Sequence, residues 1–339
     1  MISFQYEPLV LQFRHPFGIS RWTRTETTSV IVRILHDGIE GVGEGSPNAR
    51  YGETYDSASH FLSHLDLTGF DSPAEIPAIM AYVDALAPGE WSAKAALDAA
   101  LHDWWAKSIG LPLYKAWGIA EQNRLITSFT IGIDTTEVMV RKTQEASPYG
   151  ILKVKVGTDR DQETIAAIRS VTDKPIRVDA NEGWKTKEEA LERIEWLASE
   201  GVEFVEQPMP AAQLMEMPWL KVRSPLPLIA DENCGRLHDV DSLQDAFHGI
   251  NIKIDKSGGL LEGRKMALRA RELGLSVMIG CMSSSSVAIS AAAHLALMAD
   301  YADLDGHLLV GNDPYEGIQV EEGRLLLPDW PGLGVRLRS

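Results

Sequence analysis

Cysteine is nearly absent: the 339 residues include two, Cys234 and Cys281. These thiols make neither a metal-ligand spacing nor a disulfide framework, which points to a reducing, cytoplasmic setting. Long apolar runs are missing as well. No stretch reaches the roughly 18 apolar residues needed to cross a bilayer, so no membrane partner is expected. Basic charge is scarce: 32 Lys and Arg stand against 48 Asp and Glu, and the net charge of −16 repels a phosphate backbone, which argues against nucleic acid. Met1–Glu7 shows no basic stretch leading into an apolar one, so no secretory signal is expected. No glycine-rich phosphate turn follows an early strand, and no serine nucleophile sits in an elbow motif. These two absences exclude an open nucleotide-binding sheet and a serine hydrolase.

What is present divides into two styles. Leu9–Phe13 and Ser29–Leu35 are short β-prone runs, Gly41-Val42-Gly43-Glu44-Gly45 reads as a break, and Ser46–Tyr55 reads as a loop. From Glu53 to Lys107 the pattern is helical, most clearly over Trp91–Lys107, with Ser92 as a candidate cap. Strands followed by helices make an α+β unit. Beyond Leu125 strands and helices alternate. Candidate strands are Thr127–Ile133, Leu152–Val156, Ile176–Ala180, Phe204–Gln207, Leu228–Asp231, Ile250–Ile254, Val277–Gly280 and Ala302–Asp305. Repeats of about 25 residues in this α/β style predict a parallel (β/α) barrel. The tail, Val320–Ser339, is strand-like and expected to pack back on the first unit.

Charged residues recur at the ends of these strands: Lys155, Asp179, Glu206, Asp231, Lys253, and then Asp303 with Asp305. One charge at a strand end is ordinary solvation. Charges in step over five successive units, resuming two units later, at the end where barrel active sites lie, point to a site. Asp179, Glu206 and Asp231 fall on three consecutive strands, so their carboxylates converge and repel unless a cation sits among them. All-oxygen ligation favours one Mg²⁺ per subunit. The other reading is an ion-pair network with the flanking lysines. Lys155 lies one strand before the trio and Lys253 one strand after it, so the two amines flank the metal from opposite sides. Bases on both faces of one carbon permit a 1,1-proton transfer. Lys153 shares a face with Lys155, and two adjacent ammonium groups disfavour each other's charge. Asp303 and Asp305 share a strand face and make a natural seat for a substrate cation; the other reading is a barrel-rim ion pair with an arginine. Ser283–Ser286 could suggest a phosphate cradle before the helix that follows, but no glycine-rich loop lies nearby to complete one. His294, in an alanine-rich helix, reads as a core or interface residue.

Lys153-Val154-Lys155, the carboxylate trio, Asn251-Ile252-Lys253 and Gly258-Gly259 together resemble the enolase superfamily, muconate-lactonising subgroup. The resemblance covers nearly the whole chain. It implies a modified (β/α)7β TIM-like barrel over residues 119–315, an α+β capping domain over 1–118, and a tail over 316–339 that returns to the cap. Within the subgroup, Asp303-Leu304-Asp305 resembles the pair by which dipeptide epimerases, including those acting on L-Ala-D/L-Glu, hold a substrate's ammonium. The implied reaction places Mg²⁺ on the dipeptide's C-terminal carboxylate while Lys155 and Lys253 exchange the α-proton. Lid loops at Phe17–Thr25 and Asn48–Tyr55 would read the side chain, with Tyr51 in contact. Two positions depart from the Ala-Glu pattern. Trp22 stands where a lid arginine is found, with Arg21 and Arg24 beside it, and Ser284 stands where a glutamate is found after the seventh strand. The same scaffold also serves N-acylamino-acid racemases, o-succinylbenzoate synthases and muconate cycloisomerases. A non-catalytic binding barrel would lack a base, and both lysines are present here.

Overall fold

The computed structural model describes residues 1–19, 22–120 and 125–339. The β-prone runs at the N-terminus grow into a long antiparallel hairpin, β1 (Ser3–Gly18) and β2 (Thr23–His36), followed by β3 (Ile39–Gly45). Pairing extends the strands well beyond the sequence signal, because β2 supplies partners from Ser3↔Leu35 to Gln12↔Glu26 and again at Phe17↔Arg24. Between these blocks the register slips at residues 13–16, ahead of Phe17. On β2 the alternating Val30, Val32 and Ile34 are fully buried against the helices α1 (Tyr55–Leu62), α2 (Ile76–Leu86) and α3 (Trp91–Ser108).

The glycine run expected to break the pattern is instead the body of β3. Gly41, Gly43 and Gly45 face α3, where a Cβ on any of them would run into the backbone of Ala100, Ala96 and Ser92. Alternate glycines opposite an alanine-rich helix let sheet and helix meet flush, which propensity alone reads as a loop. Ser92 does not cap α3 through its own side chain. The Glu53 carboxylate reaches back to accept from Trp91 N (2.5 Å), Ser92 N (3.2 Å) and Ser92 Oγ (2.6 Å). A short helix, α4 (Leu113–Ala116), ends this unit.

Eight parallel strands then form the barrel: β4 (Phe129–Ile131), β5 (Leu152–Lys155), β6 (Ile176–Asp179), β7 (Val202–Glu206), β8 (Leu228–Ala230), β9 (Gly249–Ile252), β10 (Ser276–Gly280) and β11 (Tyr301–Asp303). Their sheet order is their chain order, and the bridge between Thr127 and Ala302 brings the two edges together. Seven main helices cover the outside: α5 (Thr136–Glu145), α6 (Asp161–Arg169), α7 (Lys187–Ser199), α8 (Met217–Arg223), α9 (Leu237–Leu243), α11 (Leu260–Glu272) and α12 (Ser286–Ala296). One further turn, α10 (Ile254–Ser257), follows β9 directly. Residues such as Leu152, Val154, Ile176, Val178, Ile250, Ile252, Val277 and Ile279 are wholly buried, the near-continuous apolar signature of parallel strands covered on both faces. The tail forms β12 (Tyr315–Glu316), paired with β15 (Arg336–Leu337), and a hairpin of β13 (Gln319–Glu321) and β14 (Arg324–Leu326). It touches both units: Leu333 N donates to Asp103 of α3 (2.7 Å), and Thr127 N donates to Gly323 O (2.8 Å) beneath the barrel.

Buried carboxylates join cap to barrel. Glu44 on β3 accepts from Ser285 N (3.0 Å), Ser285 Oγ (2.5 Å) and Ala288 N (3.1 Å) at the start of α12. At the same helix start the partly buried Asp313, from the barrel segment itself, takes Ser286 N (2.8 Å) and Oγ (2.6 Å). The serine run is therefore no phosphate cradle, because the chain's own acids occupy the donors that an anion would need. Asp98 on α3 accepts from Leu260 N (2.5 Å) and Leu261 N (3.2 Å) at the start of α11, beside Gly259, whose φ of 130° and lack of a Cβ admit the carboxylate. No helix among the described residues is long and apolar enough to cross a membrane.

Candidate active site and metal centre

Lys155, Asp179 and Glu206 terminate β5, β6 and β7, and the register pairs Lys155 with Asp179 and Asp179 with Glu206. Asp231 and Lys253 come one residue after β8 and β9. Because side chains alternate along a strand, Lys153 faces the same interior as Lys155. Asp179, Glu206 and Asp231 are fully or almost fully buried, and one oxygen of each lies within 4.8 Å of the others. The convergence expected from spacing is present.

Each of the three carboxylates is held on two sides. On one side the donors belong to the framework: Asn181 N on Asp179 Oδ1 (2.9 Å), Asn251 Nδ2 on Glu206 Oε1 (2.7 Å) and Lys256 Nζ on Asp231 Oδ1 (2.6 Å). On the other side stand lysines that line the pocket. Lys155 reaches Asp179 Oδ2 (2.7 Å), Lys153 reaches Glu206 Oε2 (2.6 Å) and Lys253 reaches Asp231 Oδ2 (2.8 Å). Gln207, left-handed at φ 36°, accepts from Asp231 N (3.0 Å) and Asn233 N (3.3 Å) and fixes the β8 end.

The charges respond accordingly. Burial alone would raise Asp179, but Lys155 and Lys153 override it and hold that carboxyl at about 2. Asp231 is likewise raised by burial and pulled well below the usual carboxylate range by Lys253 and Lys256. Glu206 goes the other way, to about 6, through burial and the Asp179 charge. Burial disfavours the Lys153 ammonium, yet Asp303, Glu206 and Asp179 hold its proton well above the ordinary lysine range. Lys253 is held up in the same manner by Asp231 and Glu206. The expected mutual repulsion of Lys153 and Lys155 is thus outweighed by three carboxylates. Lys153 lines the pocket, but its ammonium serves Asp303 (2.6 Å) and Glu206 rather than standing free for substrate.

The pocket above the trio is walled by Phe13, Phe17, Ile19, Trp22 and Arg24 from the hairpin, Asn48, Arg50 and Tyr51 from the second loop, and Met282, Ser283 and Leu309 from the barrel. Both expected lid segments reach it. Arg24 lies 4.4 Å from the Trp22 ring centroid and makes no ion pair among the described residues. Arg21 lies outside the described residues. Arg50 is bound by Glu182 through two bonds (2.9 and 2.8 Å), latching the second loop to the β6 end. Ser284, expected to contact substrate, is fully buried and absent from the lining; its neighbour Ser283 takes that place, because Ser284 is packed inside just ahead of α12. Asp303 and Asp305 both line the pocket but differ. Asp303 is tied to Lys153 and to Ser128 Oγ (2.7 Å). Asp305 accepts from Thr130 N (2.6 Å) and pairs with no lysine or arginine among the described residues; burial and the Asp303 charge push it up to about 7. His294 is core: wholly buried, with Nδ1 3.3 Å from Tyr114 N and its pKa lowered to about 4 by burial.

Residues 7–118 match the mandelate racemase / muconate lactonizing enzyme N-terminal domain, and residues 136–339 match the enolase C-terminal domain-like family. The chain belongs to the enolase superfamily. Within that superfamily it is 47% identical over 336 residues to the L-Ala-D/L-Glu epimerase of Bacteroides thetaiotaomicron, covering 99% of this chain and 87% of the relative. It is 43% identical to the L-Ala-D/L-amino acid epimerase of Pedosphaera parvula over the full length of both. The crystal structure of the Cytophaga hutchinsonii dipeptide epimerase, complexed with Mg and D-Ala-L-Val, superposes with a TM-score of 0.93 at 30% identity, covering 100% of this chain and 95% of the other.

The trio fits a metal on its own chemistry. Glu206 Oε2 is buried and accepts no well-directed hydrogen bond, although Lys153 Nζ is 2.6 Å away. Such an oxygen, beside two carboxyls held ionised, suits a hard dication. Asn251, Gln207, Lys256, Ser128 and Thr130 escaped the sequence reading as site residues. Thr130 lines the pocket and the other four sit behind it, and none of the five falls in the strand-end charge pattern that marks the rest.

Proposed function

We propose that this protein is a Mg²⁺-dependent dipeptide epimerase, an isomerase that inverts the α-carbon of the C-terminal residue in an L-Ala-Xaa dipeptide. One observation carries the reading: Lys155 and Lys253 flank a metal-type carboxylate trio inside a pocket whose far wall carries an aspartate with no cationic partner among the described residues. Asp179, Glu206 and Asp231 would hold the ion, which neutralises the substrate carboxylate and so makes the α-proton more acidic. Lys155 takes or returns that proton from one face and Lys253 from the other. Asp305 receives the substrate ammonium, with Asp303 beside it. An acylated amine, as in an N-acylamino-acid racemase, would leave Asp305 buried with no cationic partner. Arg24, stacked on Trp22 without an ion pair among the described residues, favours an acidic side chain, so L-Ala-L-Glu and L-Ala-D-Glu are the first pair to test. Tyr51 and Ser283 complete the contact surface.

We draw the cap as residues 1–118 with the tail 316–339, and the barrel as 119–315. The two free cysteines suit a cytoplasmic enzyme. Met215 and Val222, 88% and 82% exposed, suit contact with a second copy.

Proton NMR in D₂O with Mg²⁺ tests the reading on L-Ala-L-Glu and on pooled L-Ala-L-Xaa dipeptides. The expected result is loss of the C-terminal residue's α-proton signal, abolished by EDTA and restored by Mg²⁺. No exchange on any dipeptide, in protein that binds Mg²⁺, refutes it and brings the cycloisomerases forward.

A further inference from the structure

Lys256 has no part in the reading above, yet its ammonium is buried and fully engaged. It lies 2% exposed at the end of α10 and points away from the pocket, whose lining excludes it. Its three protons go to Asp231 Oδ1 (2.6 Å), Asp231 O (2.5 Å) and Asn251 O (3.2 Å). The α10 turn ties it to Lys253 as well, since Lys256 N donates to Lys253 O (3.0 Å). Asp231 is therefore clamped by two lysines from one turn of chain, Lys253 on the pocket side and Lys256 behind.

We infer that Lys256 is a positioning residue for the metal centre, which fixes Asp231 so that Oδ2 faces the other two carboxylates and spaces Lys253 from it. The inference rests on the metal part of the reading above. A free carboxylate rotates about its last bond. A donor behind one oxygen, anchored also to the main chain at both Asp231 and Asn251, stops that rotation. Partners that orient a metal ligand in this way alter metal affinity by about 10- to 100-fold when removed. Lys153 provides the opposite case, because its ammonium faces the oxygen of Glu206 that a metal would take and so competes with one.

Simple electrostatics and positioning predict opposite signs. Removing any ammonium from a dication site should tighten binding if charge alone matters. Mg²⁺ titration calorimetry, with Mn²⁺ paramagnetic resonance as a second readout, is run on wild type, Lys256→Met, Lys256→Gln and Lys153→Met. The expected outcome is about tenfold or more weaker binding for Lys256→Met, a smaller loss for Lys256→Gln, which keeps one donor, and no weakening for Lys153→Met. Equal or tighter binding in Lys256→Met overturns the inference. Wild-type protein that binds no Mg²⁺ overturns the metal reading itself, a separate result. If the variants do not fold, ¹⁵N-lysine NMR of the wild type decides. The Lys256 ammonium protons should be protected from solvent exchange both before and after Mg²⁺ is added, and a Lys256 ammonium that exchanges as freely as an exposed lysine overturns the inference.

Discussion

Changing Asp305 to Asn separates the two aspartates that sequence treats as a pair. Asp305 is 3% exposed and its carboxylate accepts from Thr130 N, with no lysine or arginine paired to it among the described residues. In the proposed complex the substrate ammonium is its cationic partner. Truncating one member of a buried charge pair costs about 2–5 kcal/mol, and the amide's retained acceptor places this change near the lower end. At about 1.4 kcal/mol per tenfold, kcat/KM for a free-amine dipeptide should fall roughly 30- to 100-fold. Mg²⁺ affinity should not change, because Asp305 does not touch the trio. Asp303→Asn should disturb both, since Asp303 holds Lys153 and Lys153 holds Glu206. The pH profile gives an independent check. Burial and Asp303 raise Asp305 to about 7, so its carboxylate, the form that binds ammonium, is lost as pH falls through that value. In wild type kcat/KM should therefore drop on the acid side below about pH 7, a limb reporting the free enzyme. The limb should disappear in Asp305→Asn. Stopped assays of both isomers across pH 5.5–9 would measure it, and an unchanged kcat/KM in the variant would refute the assignment of the ammonium to Asp305.

Three further outcomes are expected. Lys155→Ala or Lys253→Ala should abolish interconversion, while deuterium exchange persists from one stereoisomer only, a different one for each variant; exchange from both isomers in a single variant contradicts two-face chemistry. Gly43→Ala should lower stability by at least about 1–3 kcal/mol, read as a lower thermal midpoint, because the added Cβ meets α3 backbone that cannot yield. Arg24→Met should raise KM for L-Ala-L-Glu about tenfold or more and improve an apolar partner such as L-Ala-L-Leu, by loss of one charge-assisted contact of about 1.5–3 kcal/mol; an unaltered Glu/Leu ratio in competition assays removes Arg24 from specificity.

The sequence by itself determined the barrel and the charges at its mouth. Strand–helix repetition carries its own period, and a charged residue at the end of five successive strands, Lys155 to Lys253, and again at Asp303, is legible without coordinates because a strand end has a fixed place in a barrel. The cap hairpin was only half legible: charges and prolines obscure β1, and β2 supplies its pairing. Gly41–Gly45 was misread for a tertiary reason, since those glycines make a strand only opposite the alanines of α3. For the serine run, sequence offers only the missing glycine-rich loop as a reason against an anion; that its donors are filled by Glu44 and Asp313 is tertiary. Tertiary structure alone decided which oxygen of each carboxylate faces the pocket, that Lys153 bridges Glu206 and Asp303, and that Asp303 and Asp305 carry unequal loads. These depend on side chains meeting across about 25 to 180 residues of chain, and burial sets their charges; spacing along one strand encodes neither.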